Sequence, residues 1–183
     1  MKKNKEYSLE FYILLFFSLS FIGWLFEVGL QYVKTGLFLN RGSFYGPWIP
    51  IYGCGGMAIL LGLKRFMGNT KVLFLWAIVL CGILEYGASC YLEYFKGLKY
   101  WDYSMYLLNV RGRICLEGLV LFGILGCVWV YYLAPFLANI YGKINKVMLR
   151  VLCGVLVFFF LLDFGYSNYF PNVSDAVNVS DGN

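Results

Sequence analysis

The chain has 183 residues, 61% of them hydrophobic, 21% aromatic and only 14% charged, with a net charge of +5 and no histidine. A soluble domain carries roughly a quarter charged residues, so this much apolar surface needs a bilayer, and one compact transmembrane domain is the simplest partition. The missing histidine excludes Ser-His and Cys-His nucleophiles, His-ligated zinc and a histidine pH switch. The basic excess falls between apolar runs, as in membrane proteins, and does not point to nucleic acid.

The sequence predicts an all-α polytopic membrane bundle of about five transmembrane helices, with a cytoplasmic segment at 1–8, a transmembrane domain at 9–166 and a polar tail at 167–183. The start resembles a signal peptide for a few residues, then runs on without a small-residue cleavage site, so it reads as a retained first helix over about Leu9–Val33. Ser20, Gly23, Glu27 and Gln31 share one face of it. Next comes "NRGSFYGPWIPIYGCGG" (Asn40–Gly56), with an arginine, prolines, glycines and large aromatics. The second helix, about Pro50–Leu63, rises only roughly 22 Å against a hydrocarbon core of roughly 30 Å. Its Pro-rich lead-in is therefore expected to dip below the surface, where protein or water must satisfy the backbone.

The third helix, about Val72–Phe95, carries Glu85, Ser89 and Glu93 on one face. "YWDYSMYLLNVRGRICLEG" (Tyr100–Gly118) leads into a fourth helix at about Ile114–Leu133. Asn109, Arg113 and Glu117 recur every four residues and would form a third polar stripe if helix begins early enough. The last helix, about Val147–Tyr166, holds Asp163, for which a structural role is favoured. The tail, with N-x-S sequons at Asn172 and Asn178, is expected to fray. The six cysteines form no C-x-x-C pair and read as packing residues. A Cys54–Cys115 bridge is compatible with the sequence, but spacing alone does not support it.

Basic residues set the orientation. The amino-terminal segment, second loop and fourth loop hold nine, and the opposite side six, which favours a cytoplasmic amino terminus and an external carboxyl terminus. All three polar stripes then end on the outer side, with both motif-rich loops. Ionisable residues within membrane helices are functional suspects by default. The candidate polar pocket comprises Glu27, Asn40, Arg41, Tyr52, Glu85, Trp101, Asp102, Asn109, Arg111, Arg113 and Glu117. Of these, Glu27, Arg41, Glu85, Arg113 and Glu117 are expected to form one coupled cluster. A clasp that only holds helices together stays open beside the pocket reading, as does an aromatic belt for Trp24, Trp48 and Trp101. The two halves also echo each other. Each runs through a Gly–Glu–Gly helix motif, a lysine and an Asn–Arg–Gly element, the order of a parallel repeat.

The order G-W-x-x-E (Gly23, Trp24, Glu27), N-R-G-x-x-x-G-P-x-x-P-I-Y-G (Asn40–Gly42, Gly46, Pro47, Pro50–Gly53), a Glu-bearing helix (Glu85), W-D-Y-S (Trp101–Ser104) and N-x-R-G-R-I-C (Asn109, Arg111–Cys115) resembles the bacterial ABC-transporter permease family of type IV, also called CmpB-like. The resemblance covers residues from about 10 to about 135. Ser43 stands where the family usually has phenylalanine. It implies a multi-pass protein of the bacterial plasma membrane.

No G-x-x-x-x-G-K-[ST] loop occurs, so any ATPase must be a separate subunit. The resemblance favours a transport component whose arginines act as counter-charges for a polar or anionic solute. An intramembrane enzyme is the alternative, with arginines on a lipid phosphate and Glu27, Glu85, Glu117 or Asp102 as general base. A membrane sensor or assembly factor is a third. No nucleophile motif such as G-x-S-x-G is present, and the resemblance is what ranks transport first. No cofactor and no metal is expected. Membrane lipids are expected partners, nucleic acid is not, and homo-oligomerisation stays open.

Overall fold

The computed structural model describes residues 8–174 and the backbone of 177 and 178; Lys2, Lys3, Lys5 and the last five residues lie outside the described residues. The fold is an all-helical bundle. Helix α1 spans Leu9–Thr35. Ser8 starts it, its hydroxyl accepting from the Phe11 N–H at 3.4 Å, and Gly36 ends it in the left-handed conformation at φ 70°. The short α2 follows at Pro50–Gly62, with proline at its first position, where a missing N–H costs nothing. A 3₁₀ turn at Lys64–Phe66 leads to α3, Thr70–Lys96, capped by the Asn69 side chain and closed by Gly97 at φ 64°.

The second motif-rich segment is not helical. It holds short strands β1 (Leu98–Lys99), β2 (Asn109–Val110) and β3 (Ile114–Cys115). β2 and β3 form a hairpin, Asn109 opposite Cys115 and Val110 opposite Ile114. The expected Asn109–Arg113–Glu117 helical stripe is thereby corrected, because helix starts only at α4, Leu116–Val128. That helix runs through a π turn, Trp129–Leu133, into α5, Ala134–Tyr141, well past the expected end. Pro135 explains the π turn: it has no N–H to return to Tyr131, so the ladder shifts register there. Helix α6, Lys146–Tyr169, is capped by Asn145. β4, Val177–Asn178, pairs antiparallel with β1.

Four stretches are long and apolar enough to cross a membrane: α1, α3, α4 through α5, and α6. The protein is a membrane protein. The buried apolar core, including Leu15, Ile59, Leu73, Ala77 and Trp129, draws on α1, α2, α3 and the π turn. It lies away from the motif-rich loops. Gly123 lets α4 press against Phe74 and Ile78 of α3. By contrast, α6 buries almost none of its most apolar window and leaves its large side chains for lipid. All six cysteines are free, so no Cys54–Cys115 bridge forms.

The lead-in to α2 descends along α1. The Ile49 N–H donates to the Ser20 carbonyl at 3.0 Å. Ser20 lies fifteen residues before the end of α1, roughly 22 Å along its axis. Non-helical backbone thus reaches the middle of α1, where its neighbours satisfy it.

Candidate functional site

Two loops fold back onto the ends of α1 and α3, and each brings an arginine to a glutamate. Glu27 on α1 meets the Arg41 guanidinium at 3.5 Å, and its other oxygen accepts from the Tyr52 hydroxyl of α2 at 2.6 Å. Tyr52 reaches across because Gly23 presents no side chain there: a Cβ on Gly23 would collide with the Tyr52 ring. Asn40 organises this loop. It accepts from Trp24 Nε1 at 2.6 Å and donates to the carbonyls of Phe44 and Tyr45.

On α3, Arg113 pairs with Glu93, not with Glu117. Its guanidinium also lies 5.6 Å from the centre of the Tyr86 ring, within cation–π range. Glu93 was visible on the α3 stripe but absent from the expected pocket. The Arg113 carbonyl accepts from Trp101 Nε1 at 3.0 Å, which seats Trp101 against the hairpin. Asn109 knits the turn, accepting from the Gly112 N–H at 2.9 Å and donating to the carbonyls of Ser104 and Tyr106. Leu108 and Arg111 take positive φ, 52° and 54°, beside Gly112 at 66°. That reversal replaces the expected helix.

Glu85 lies deeper on α3 and is only 6% exposed. One oxygen accepts from the Tyr103 hydroxyl at 3.0 Å, and the other has no hydrogen-bond partner. Burial pushes the Tyr103 phenol above its usual range, and the Glu85 carboxylate and, less strongly, that of Glu27 push it further. Both carboxylates therefore converge on one pair of tyrosines, Tyr52 and Tyr103.

Two candidates stand apart. Glu117 is exposed at the start of α4, so the expected five-residue cluster resolves into two ion pairs, Glu27–Arg41 and Glu93–Arg113, with Glu85 between charge-poor neighbours. Arg111 is exposed on the hairpin tip. Asp102 is half exposed. It accepts from the Ser104 hydroxyl at 2.5 Å and N–H at 2.8 Å and pairs with Lys99 at 2.9 Å. The Ser104 hydroxyl and then Lys99 hold its carboxyl down to about 2.

Sequence reading missed the clamps from the carboxyl-terminal part. Asp163 of α6 accepts from the N–H groups of Tyr45 and Gly46 and from Trp48 Nε1 at 2.8–3.1 Å. Asn172, 7% exposed, donates to the carbonyls of Asn40 and Gly42 at 2.8 and 3.0 Å, while its own carbonyl accepts from the Tyr100 hydroxyl at 2.7 Å. The start of the tail is therefore docked and not frayed. Asn178 lies where only the backbone is described. An asparagine among polar residues gives no composition signal for this; only its backbone acceptors, the carbonyls of Asn40, Gly42 and Phe44, reveal it.

One cavity, about 780 Å³, lies between α3 and α4 near Thr70, Lys71, Tyr131 and Tyr132, at the end opposite the loops. A second, about 330 Å³, lies between α1, α2 and α6 and is lined by apolar side chains. The carboxylates line neither. Among the described residues, no group of three or more metal-ligating side chains comes together.

A family model described as "Putative ABC-transporter type IV" matches residues 14–168. The comparisons with curated proteins and with solved structures find no match.

Proposed function

Because the chain belongs to this type IV ABC-transporter family, we propose that it is a membrane-embedded transport component whose loop end receives a polar solute. The observation that supports this best is the pair of Asn–Arg–Gly loops folded back on membrane carboxylates, Arg41 on Glu27 and Arg113 on Glu93. Such charges are costly inside a bilayer and are found where a pathway or binding site needs them. The motifs suggest a polar or anionic solute. Arg41 and Arg113 already meet carboxylates, however, and Glu85 is left over, so a solute that donates hydrogen bonds suits the charge balance better than a purely anionic one.

In this reading the loop end faces outward from the plasma membrane, and the basic loops at 64–71 and 143–150 face a separate ATPase subunit. Purification from native membranes in mild detergent tests it. Vanadate-sensitive ATP hydrolysis should purify with the chain. Its absence, even after chemical crosslinking in intact membranes, would overturn the ABC reading. Arg41→Lys keeps the charge but loses the planar fork. The variant should melt like the parent and complement a deletion strain poorly. A variant that melts early would assign Arg41 to holding helices together.

A further inference from the structure

Glu85 sits eleven residues before the end of α3, roughly 16 Å below the loop end. It is 6% exposed, and its second oxygen is buried without a partner. Among the described residues, Tyr103 of the loop contacts it, and Glu27 of α1, Tyr52 of α2, Cys81 of its own helix and Cys115 at the start of α4 lie near enough to act on it electrostatically. None of these is a cation. Arg41 and Arg113 are engaged by Glu27 and Glu93. An ionised Glu85 would be stripped of water, unpaired and repelled by Glu27, which is strongly unfavourable.

Something must balance it, and the packing limits the choice. Glu85 is 6% exposed and lines neither of the two cavities described above, and no set of metal ligands surrounds it among the described residues. A hydrated metal or an organic cation needs space, whereas a proton needs none. We propose that Glu85 is a proton-binding site, held as the neutral acid in this packed state, and that Tyr103 controls its exchange with water at the loop end. This goes beyond the transport reading and does not rest on it.

The exchange step is simple. Lifting the 97–115 loop withdraws the Tyr103 hydroxyl and admits water. The proton then passes from the carboxyl oxygen to that water, and the carboxylate keeps the electron pair of the broken O–H bond. Return of the proton and of the loop restores the packed state. Tyr103 is here a positioning residue, since its hydroxyl favours the charged form to which it donates.

The test uses the full chain in nanodiscs and dicyclohexylcarbodiimide, which modifies protonated carboxyls in apolar surroundings, with mass spectrometry to locate the adduct. Glu85 should label at neutral pH, well above Glu27 and Glu93. Its labelling should fall about tenfold per pH unit once the carboxyl ionises. Tyr103→Phe should shift that fall to higher pH, because the donor to the charged form is gone. Glu85→Gln should lose the adduct and melt like the parent at neutral pH, one neutral group replacing another. Absence of label on Glu85 at every pH overturns the proposal without any variant. An unshifted profile in Tyr103→Phe overturns the role of Tyr103, and a Glu85→Gln variant that melts far below the parent overturns the neutral acid.

Discussion

Asp102 ties one turn of the second loop through Ser104 and Lys99. Its folded carboxyl sits near 2, held by Ser104 and then Lys99, below the ordinary carboxylate value of about 3.9. A depressed acid contributes stability that is complete above the ordinary value and is lost as pH falls through the folded one. The loop should therefore keep its fold from neutral pH to about 4 and loosen toward 2. Melting curves of the parent and Asp102→Asn should differ by a constant amount above pH 4 and converge toward pH 2. With half the side chain exposed, solvent screening keeps the difference small. A difference that widens on acidification would contradict these partners.

At the scale of the helices, contact between α1 and α2 depends on one missing side chain. Gly23→Ala would drive a methyl into the Tyr52 ring and pull its hydroxyl off Glu27. It should destabilise by about 1–3 kcal/mol, as overpacking does. Gly29, two turns nearer the loop, has nothing within 4 Å of its would-be Cβ. Gly29→Ala should be neutral or gain about 0.5–1 kcal/mol from helix propensity. Thermal melting of both in one detergent checks the contrast, and equal effects would refute it. A double-mutant cycle separates the ion pairs in the same way. Arg113→Ala and Glu93→Ala should be strongly non-additive, whereas Arg113→Ala and Glu117→Ala should add. The helices themselves were legible in the sequence, because Pro50, Gly36 and Gly97 punctuate apolar runs of the right length. The 109–117 segment was not. Its four-residue spacing fits a helix, and only the positive φ of Leu108 and Arg111 discloses a hairpin. Glu93 was visible on the α3 face, but its choice over Glu117 is a matter of where the hairpin aims Arg113.

Across the whole molecule, both Asn–Arg–Gly loops and the start of the tail meet at one end, and the basic turns lie at the other. In the proposed orientation the loop end lies outside, the side that the charge count favours. Val173 is 55% exposed at that end, and Gly68 is exposed in the turn at the opposite one. In a background without native cysteines, Val173→Cys should react with an impermeant maleimide in intact cells, and Gly68→Cys only after lysis. The reverse pattern would turn the molecule over. The two long helices that enter the loops are alike, 27 residues each and closed by a left-handed glycine, and both run toward the same end. The polar stripe on α1 and the α3 glutamates were readable as one converging zone. The clamps from α6 and the tail were not, since Asp163 and Asn172 lie more than a hundred residues from the backbone they bind.

That distance has a consequence for biosynthesis. The backbone that descends along α1 toward Ser20 donates its Tyr45 and Gly46 N–H groups to Asp163, and its carbonyls at Asn40 and Gly42 accept from Asn172. Both partners leave the ribosome more than a hundred residues later. Until α6 is made, those peptide groups have only water or lipid headgroups, and water is scarce at that depth. The first helical hairpin therefore cannot settle in order of synthesis. The short α2 must wait near the surface, or in the insertion machinery, until the final helix arrives to seat it. A chain that stops before Asp163 should be handled by the cell as unfinished, and a bulky tag fused close behind Ser174 should trap the same immature form.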